Sequence, residues 1–160
     1  GTHPTTSLCL KWLDQHATSE KGLNGKAVID YGCGSGILGI AALLLGAESV
    51  TGIDNDPQAL LATHDNAERN QIKAGTIKTF LPDDAPDEKA DILLANILAQ
   101  PLYELRDNIT SRLKPKGSLI LSGILEHQAA ELRAHYTTSF EMGAPAIEDG
   151  WARLTGTKKV

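Results

Sequence analysis

A carboxylate at the end of an apolar run, followed by glycine at every second position, suits a nucleotide-like ligand. Here the segment is Val28-Ile29-Asp30-Tyr31-Gly32-Cys33-Gly34-Ser35-Gly36-Ile37. Glycines let backbone approach a ligand without Cβ obstruction, and the start of the following helix offers unpaired N–H groups. A second carboxylate, Asp54, closes another apolar run in Gly52-Ile53-Asp54. It is placed to accept both hydroxyls of a ribose. Asn96 ends a third run in Ala95-Asn96-Ile97-Leu98. At the carboxyl edge of a sheet, its side-chain carbonyl suits accepting a hydrogen bond from an amine and aiming the nitrogen lone pair.

Two ligands compete for the glycine loop. Gly34-Ser35-Gly36-Ile37-Leu38-Gly39 matches G-x-G-x-x-G, and Asp54 lies twenty residues after Gly34, which is the dinucleotide fingerprint. Taken alone, it suggests an NAD-dependent dehydrogenase. One turn earlier, Asp30 puts an acid ahead of the glycines, where it would repel a pyrophosphate and attract an ammonium or a sulfonium. Asp30 also has a structural reading, in which it satisfies amides of the glycine loop. Asn96 likewise has one, as a cap for the turn that follows it. Asp56, directly before Pro57, is a better helix N-cap than Asp54, which leaves Asp54 for the ligand. Cys33 reads as a small residue tolerated by the turn, and Trp12 and Trp151 as packing residues. His3 receives no catalytic role.

The elements that must hold these residues follow from hydrophobic spacing. Leu8, Cys9, Trp12 and Leu13 give helical spacing over 5–16, with Pro4 suited to its first turn. Strands are expected at 27–31, 49–53, 76–80, 91–95 and 118–122. Helices are expected at 37–45, 57–70, 101–113 and 126–136, with turns at 24–26 and 114–117 and an acidic loop at 82–89. Two further strand-like runs, 139–142 and 151–157, have no helix between them and should pair antiparallel. Alternating strand and helix followed by a hairpin predicts an α/β fold: a doubly wound, mostly parallel, seven-stranded sheet closed by a C-terminal antiparallel hairpin.

Composition narrows the function. At 160 residues the chain is one domain, able to bury roughly 70% of its unfolded surface. Its net charge is −5 and no basic block occurs, so nucleic acid is a poor main partner and a basic protein a better one. Its 2 cysteines and 5 scattered histidines show neither disulfide nor metal spacing, so no metal is expected. No apolar run reaches the ~18 residues of a membrane span, and no signal or transit peptide is legible. A cytoplasmic location is the resulting expectation. A start without Met, inside what looks like a motif, suggests a fragment of a longer protein.

With Asp30, the glycines, Asp54 and the closing hairpin in place, the chain resembles the class I S-adenosylmethionine (SAM) methyltransferases, whose sheet is Rossmann-like and whose last strand enters antiparallel. Gly1-Thr2-His3-Pro4-Thr5-Thr6, the glycine loop, Gly52-Ile53-Asp54-Asn55-Asp56-Pro57 and Ala95-Asn96-Ile97-Leu98 occur in this order. Together they resemble the ribosomal protein L11 methyltransferase family over essentially the whole chain. The Thr-His-Pro-Thr-Thr start and Asn-Ile-Leu carry the specificity of that resemblance.

The resemblance implies SAM as cofactor, with contacts at Thr6, Gly32, Asp54 and Asn96. Asp30, Gly34 and Gly36 complete the expected cofactor site, and Asn96 is the expected catalytic residue. It implies a large-subunit ribosomal protein as substrate, methylated on lysine or N-terminal amines. It further implies that residues 1–160 are the catalytic domain alone, without the family's N-terminal recognition domain. A SAM-binding module lacking its own substrate capture is the alternative within that fold. The Asn-Ile-Leu-Ala run lacks the prolines and aromatic of the Asn-Pro-Pro-Tyr element of other N-methyltransferases, which favours an aliphatic amine over a planar nucleobase.

Overall fold

A computed structural model describes residues 3–19 and 22–160. Gly1 and Thr2, which open the Thr-His-Pro motif, lie outside the described residues. The chain forms two compact units, one of residues 10–87 and one of residues 1–9 with 88–160. Helix α1 (Pro4–Ala17) contributes residues to both. Its start is set locally. Pro4 occupies the first helical position, where its missing N–H costs nothing, and the His3 ring accepts the Thr5 N–H at 3.2 Å through Nδ1. His3 is therefore the N-cap of α1.

The unit of residues 10–87 is three parallel strands with two crossover helices. Strand β1 (Ala27–Tyr31) pairs with β2 (Ser49–Ile53), and β2 pairs with β3 (Ile77–Phe80). Helix α2 (Ile37–Leu44) connects β1 to β2, and α3 (Pro57–Arg69) connects β2 to β3. Val28, Ile29, Val50 and Ile53 are buried, as expected of strands covered on both faces. Asp56 caps α3 as its sequence position promised: its carboxylate accepts the Gln58 N–H at 2.9 Å, with Pro57 at the first position.

In the unit of residues 1–9 and 88–160, β4 (Ala90–Asn96) runs parallel to β5 (Leu113–Leu125). Strand β8 (Trp151–Lys158) lies antiparallel to β5, and β6 (Phe140–Met142) lies antiparallel to β8. Ile92, Leu93, Leu94, Leu119, Ile120 and Leu121 form the buried centre. Helix α6 (Ala129–Tyr136) adds Leu132 and Tyr136, whose hydroxyl donates to the Leu102 carbonyl at 2.6 Å.

Four features differ from the sequence reading. A third antiparallel strand, β7 (Ala146–Glu148), pairs with β8 inside the connection expected to be loop, so the strands among the described residues number eight rather than seven. The helix expected at 101–113 is two short helices, α4 (Ala99–Glu104) and α5 (Arg106–Ser111), broken at Leu105. The turn expected at 114–117 is absorbed into β5, with Lys116 at φ 68° and a register shift between Ala90 and Ile92. The helix expected from Glu126 opens with a 3₁₀ turn (Glu126–Gln128) before α6. For β7, pairing with β8 overrides a local preference for loop, whereas the 3₁₀ turn is held locally by Gln128 Oε1, which accepts the Leu125 N–H at 2.8 Å.

Candidate functional site

The structure gathers the predicted residues into two sets, one in each unit. Asp30, Gly32, Gly34, Gly36 and Asp54 come together in residues 10–87. Thr6 and Asn96 come together in the other unit.

The first set is a tightly held loop. As β1 ends, the N–H groups of Gly32 and Cys33 both donate to the Ile53 carbonyl, at 2.6 and 3.0 Å, which anchors the turn to the end of β2. Asp54 then grips it. One carboxylate oxygen accepts the Gly34 N–H and the other the Asp56 N–H, each at 3.0 Å. A carboxylate offers about four acceptor sites, so two remain for a diol. Gly32, Gly34 and Gly36 have φ of 79°, 54° and 84°, in the left-handed region where a Cβ is disfavoured.

Gly34 and Gly36 differ in what surrounds them. A Cβ on Gly34 would meet nothing within 4 Å, so that side of the loop is open. A Cβ on Gly36 would lie 2.8 Å from Thr63 Cγ2 and 3.1 Å from Thr63 Cα. Helix α3 thus buttresses the loop from behind: Thr63 Oγ1 donates to the Gly34 carbonyl at 3.1 Å and Asn66 Nδ2 to the Ser35 carbonyl at 2.8 Å. Sequence reasoning missed Thr63 and Asn66, because nothing in a helical polar residue announces its distant partner. Cys33 packs into the turn against Thr63, and burial pushes its thiol up to about 11, which makes it inert.

Asp30 is 2% exposed, and its carboxylate accepts the Gly39 N–H in the first turn of α2 at 3.1 Å. Burial raises its carboxyl to about 7; the Gly39 bond opposes the rise and the Asp54 charge adds to it. The last glycine of the G-x-G-x-x-G spacing serves this arrangement, since a Cβ on Gly39 would meet Val50 Cγ1 at 2.8 Å and Asp30 Oδ2 at 3.3 Å. Helix α2 has no side-chain cap; Gly36 stands at its N-cap in the left-handed region. The start of α2 therefore has no side chain competing for its first N–H groups.

The second set sits at the carboxyl end of β4. Asn96 Nδ2 donates to Thr6 Oγ1 at 3.4 Å, which leaves the Asn96 carbonyl without a protein partner among the described residues. The backbone beyond it is fixed. Ile97 N–H donates to the Ser122 carbonyl at 3.2 Å, and Gly123, at φ 89°, has the Ile97 carbonyl pressed into the place a Cβ would take. Asn96 is thus not spent on capping a helix: the N-cap of α4 is Leu98, with no side-chain bond. His3 meets the Trp151 ring edge-on at 5.0 Å between centroids. Ser122, also missed in the sequence, is fully buried and donates to the Thr5 carbonyl at 2.9 Å.

Residues 1–159 match the family model described as Ribosomal protein L11 methyltransferase (PrmA). The chain belongs to that family. A ribosomal protein L11 methyltransferase from Marinobacter nauticus is 53% identical over 99% of this chain and 52% of its own length, and one from Pseudomonas aeruginosa is 52% identical over the same shares. The chain therefore spans about half the length of the curated relatives it matches. The crystal structure of a ribosomal protein L11 methylase from Lactobacillus delbrueckii subsp. bulgaricus, 31% identical, superposes with a TM-score of 0.86 over 100% of this chain and 81% of that one. A T. Thermophilus 16S rRNA methyltransferase solved with AdoMet and guanosine shares the fold at a TM-score of 0.78, with 21% identity over 99% of this chain and 44% of its own. The family fold is the Rossmann-like α/β architecture expected from the sequence, with a mostly parallel sheet and antiparallel strands at its C-terminus. Among the described residues no helix is long and apolar enough to cross a membrane.

Proposed function

We propose that this chain is the catalytic domain of a SAM-dependent protein N-methyltransferase acting on amino groups, of lysine side chains or a chain N-terminus, in a large-subunit ribosomal protein. The observation that carries the proposal is Asp54. In a chain of this family, its carboxylate fastens the glycine loop through Gly34 while keeping two acceptor sites free beside a face where a Cβ would meet nothing. That cradle fits a ribose and the backbone approach of a cofactor. In this reading Asp54 accepts the ribose hydroxyls, and Gly32, Gly34 and Gly36 supply the close backbone. Asp30 holds the first turn of α2 beneath the loop through Gly39, and Thr6 and Asn96 serve the cofactor as well.

When bound, SAM supplies an electrophilic methyl on a sulfonium, open to in-line displacement. The chain's own work is to present a neutral amine to it. A free lysine, near pKa ~10.4, is mostly protonated at neutral pH; desolvation disfavours the ammonium, so no strong base is required. Asn96 Oδ1 accepts a hydrogen bond from the amine and directs its lone pair. Orientation of this kind supplies up to ~7–11 kcal/mol in well-aligned systems. Recognition of the basic ribosomal protein falls to the remainder of the family's length, and the reaction takes place in the cytoplasm, without direct reading of nucleic acid. Calorimetric titration with S-adenosylhomocysteine tests the cofactor half. We expect saturable binding to the chain and a loss of roughly 100-fold in affinity in Asp54→Ala, because charged hydrogen bonds are removed. Binding of NADH in its place would establish the dinucleotide reading instead.

A further inference from the structure

We propose that the groove between α2 and α3 is the seat of an apolar segment from the part of the protein outside residues 1–160. The inference rests on residues 1–160 being the catalytic domain of a longer protein, as proposed above, and not on the identity of the cofactor. Helix α2 reads Ile-Leu-Gly-Ile-Ala-Ala-Leu-Leu, without one polar side chain. A helix lying on a sheet needs a single apolar stripe, and a helix that is apolar all round is covered all round. The first stripe of α2 is spent on the sheet. Leu38, Gly39 and Ala42 are buried, and Gly39 lies against Val50 and Asp30. Ile37, Ile40, Ala41 and Leu44 form a second stripe, at the i, i+3, i+4, i+7 spacing of a packed face. Of these only Ile40 is buried; Ile37 is 47% exposed and Leu44 61%.

The second stripe lines a groove of about 400 Å³, together with Asn66 and Asn70 from α3 and Ser35 from the glycine loop. No charged side chain lines it, and its polar wall is already served. Asn66 Nδ2 donates to the Ser35 carbonyl and Asn70 Nδ2 to the Asn66 carbonyl, each at 2.8 Å. The groove therefore asks for apolar contact and offers no counter-charge to a basic ribosomal protein. Curated relatives carry about as much chain again, since this chain spans about half their length. A segment of that remainder is tethered, at an effective concentration of roughly millimolar, so even a narrow groove holds it. A second copy would have to draw its whole affinity from the same groove, against the full cost of association.

The test uses the intact protein that carries this chain, with a cysteine at one of two matched positions and alkylation by iodoacetamide read peptide by peptide. Leu44, in the groove, and Leu61, on α3 outside it, are 61% and 59% exposed, while the native Cys9 and Cys33 are buried. With the groove filled, Leu44→Cys reacts roughly tenfold more slowly than Leu61→Cys at every protein concentration. Leu44→Lys puts a charge under the segment and lowers the Tm of the intact protein by several degrees, whereas Leu61→Lys leaves it within about a degree. In an open groove the same lysine, at the carboxyl end of α2, would be neutral or stabilising. Equal alkylation at the two positions, or an unchanged Tm in Leu44→Lys, overturns the proposal. So does protection of Leu44→Cys that fades on dilution, which marks a second copy, or that needs added ribosomal protein L11, which marks the substrate. An intact protein no longer than residues 1–160, read from its mass, would instead refute the domain reading.

Discussion

Asp30 shows how one residue carries more than its position in a motif suggests. From the sequence it is an acid before glycines, attractive to a cation. In the fold it is buried beneath the loop, bonded to Gly39 N–H and raised to about 7. Folded, it keeps its proton up to about pH 7, whereas in the unfolded chain it gives that proton up near its ordinary value of 3.8. In that window the native state binds more protons than the unfolded state, so Asp30 makes stability fall as pH rises, with no further change above about 7. The full effect is of order 4 kcal/mol. Asp30→Asn keeps an acceptor for Gly39 and cannot ionise. Its stability relative to wild type should climb by a few kcal/mol between about pH 4.5 and about pH 7.5 in urea denaturation. A pH-independent difference would mean that Asp30 ionises as readily folded as unfolded.

At the scale of elements, the glycine loop is one turn with two faces. Gly36 looks inward at Thr63, while Gly34 looks into open space. Alanine at Gly36 combines a left-handed backbone with a Cβ placed 3.1 Å from another backbone atom, Thr63 Cα, so nothing flexible can yield. We expect Gly36→Ala to cost roughly 3 kcal/mol or more of stability. Gly34→Ala meets only the backbone penalty, about 1–2 kcal/mol, and should instead lose most of its S-adenosylhomocysteine affinity because its methyl fills the open face. Urea melts beside titration calorimetry separate the two; equal effects on both quantities in the two variants would refute the two-faced loop. The loop, the strands around it and the α3 cap were legible because each rests on neighbours in sequence: alternating glycines, an apolar run, Asp56 beside Pro57. The break at Leu105 and the extra strand β7 were not, since strand pairing with β8 and packing around Leu102 and Ile109 decide them.

For the whole molecule, cofactor binding should appear as stability. A ligand that binds only the folded chain at about 100 times its Kd adds roughly 2.7 kcal/mol. For a chain this size, S-adenosylhomocysteine should raise Tm by several degrees and NADH should leave it unchanged. The reverse would discard the methyltransferase reading of this site.

The sequence alone determined the alternation of strand and helix with its closing antiparallel strands, the turn that needs glycine, the N-cap of α3 and the family to which the chain belongs. These depend on steric limits and hydrogen bonds among residues a few positions apart, and on motifs that survive as letters. Only the tertiary structure decided what those letters do. Thr63 reaches the Gly34 carbonyl from 29 residues away, Asn96 reaches Thr6 across 90, and Ser122 reaches Thr5 across 117. Burial of Asp30, the support behind Gly36 and the free carbonyl of Asn96 arise from those distant contacts. Partners so far apart are chosen by register and packing, which no local pattern encodes.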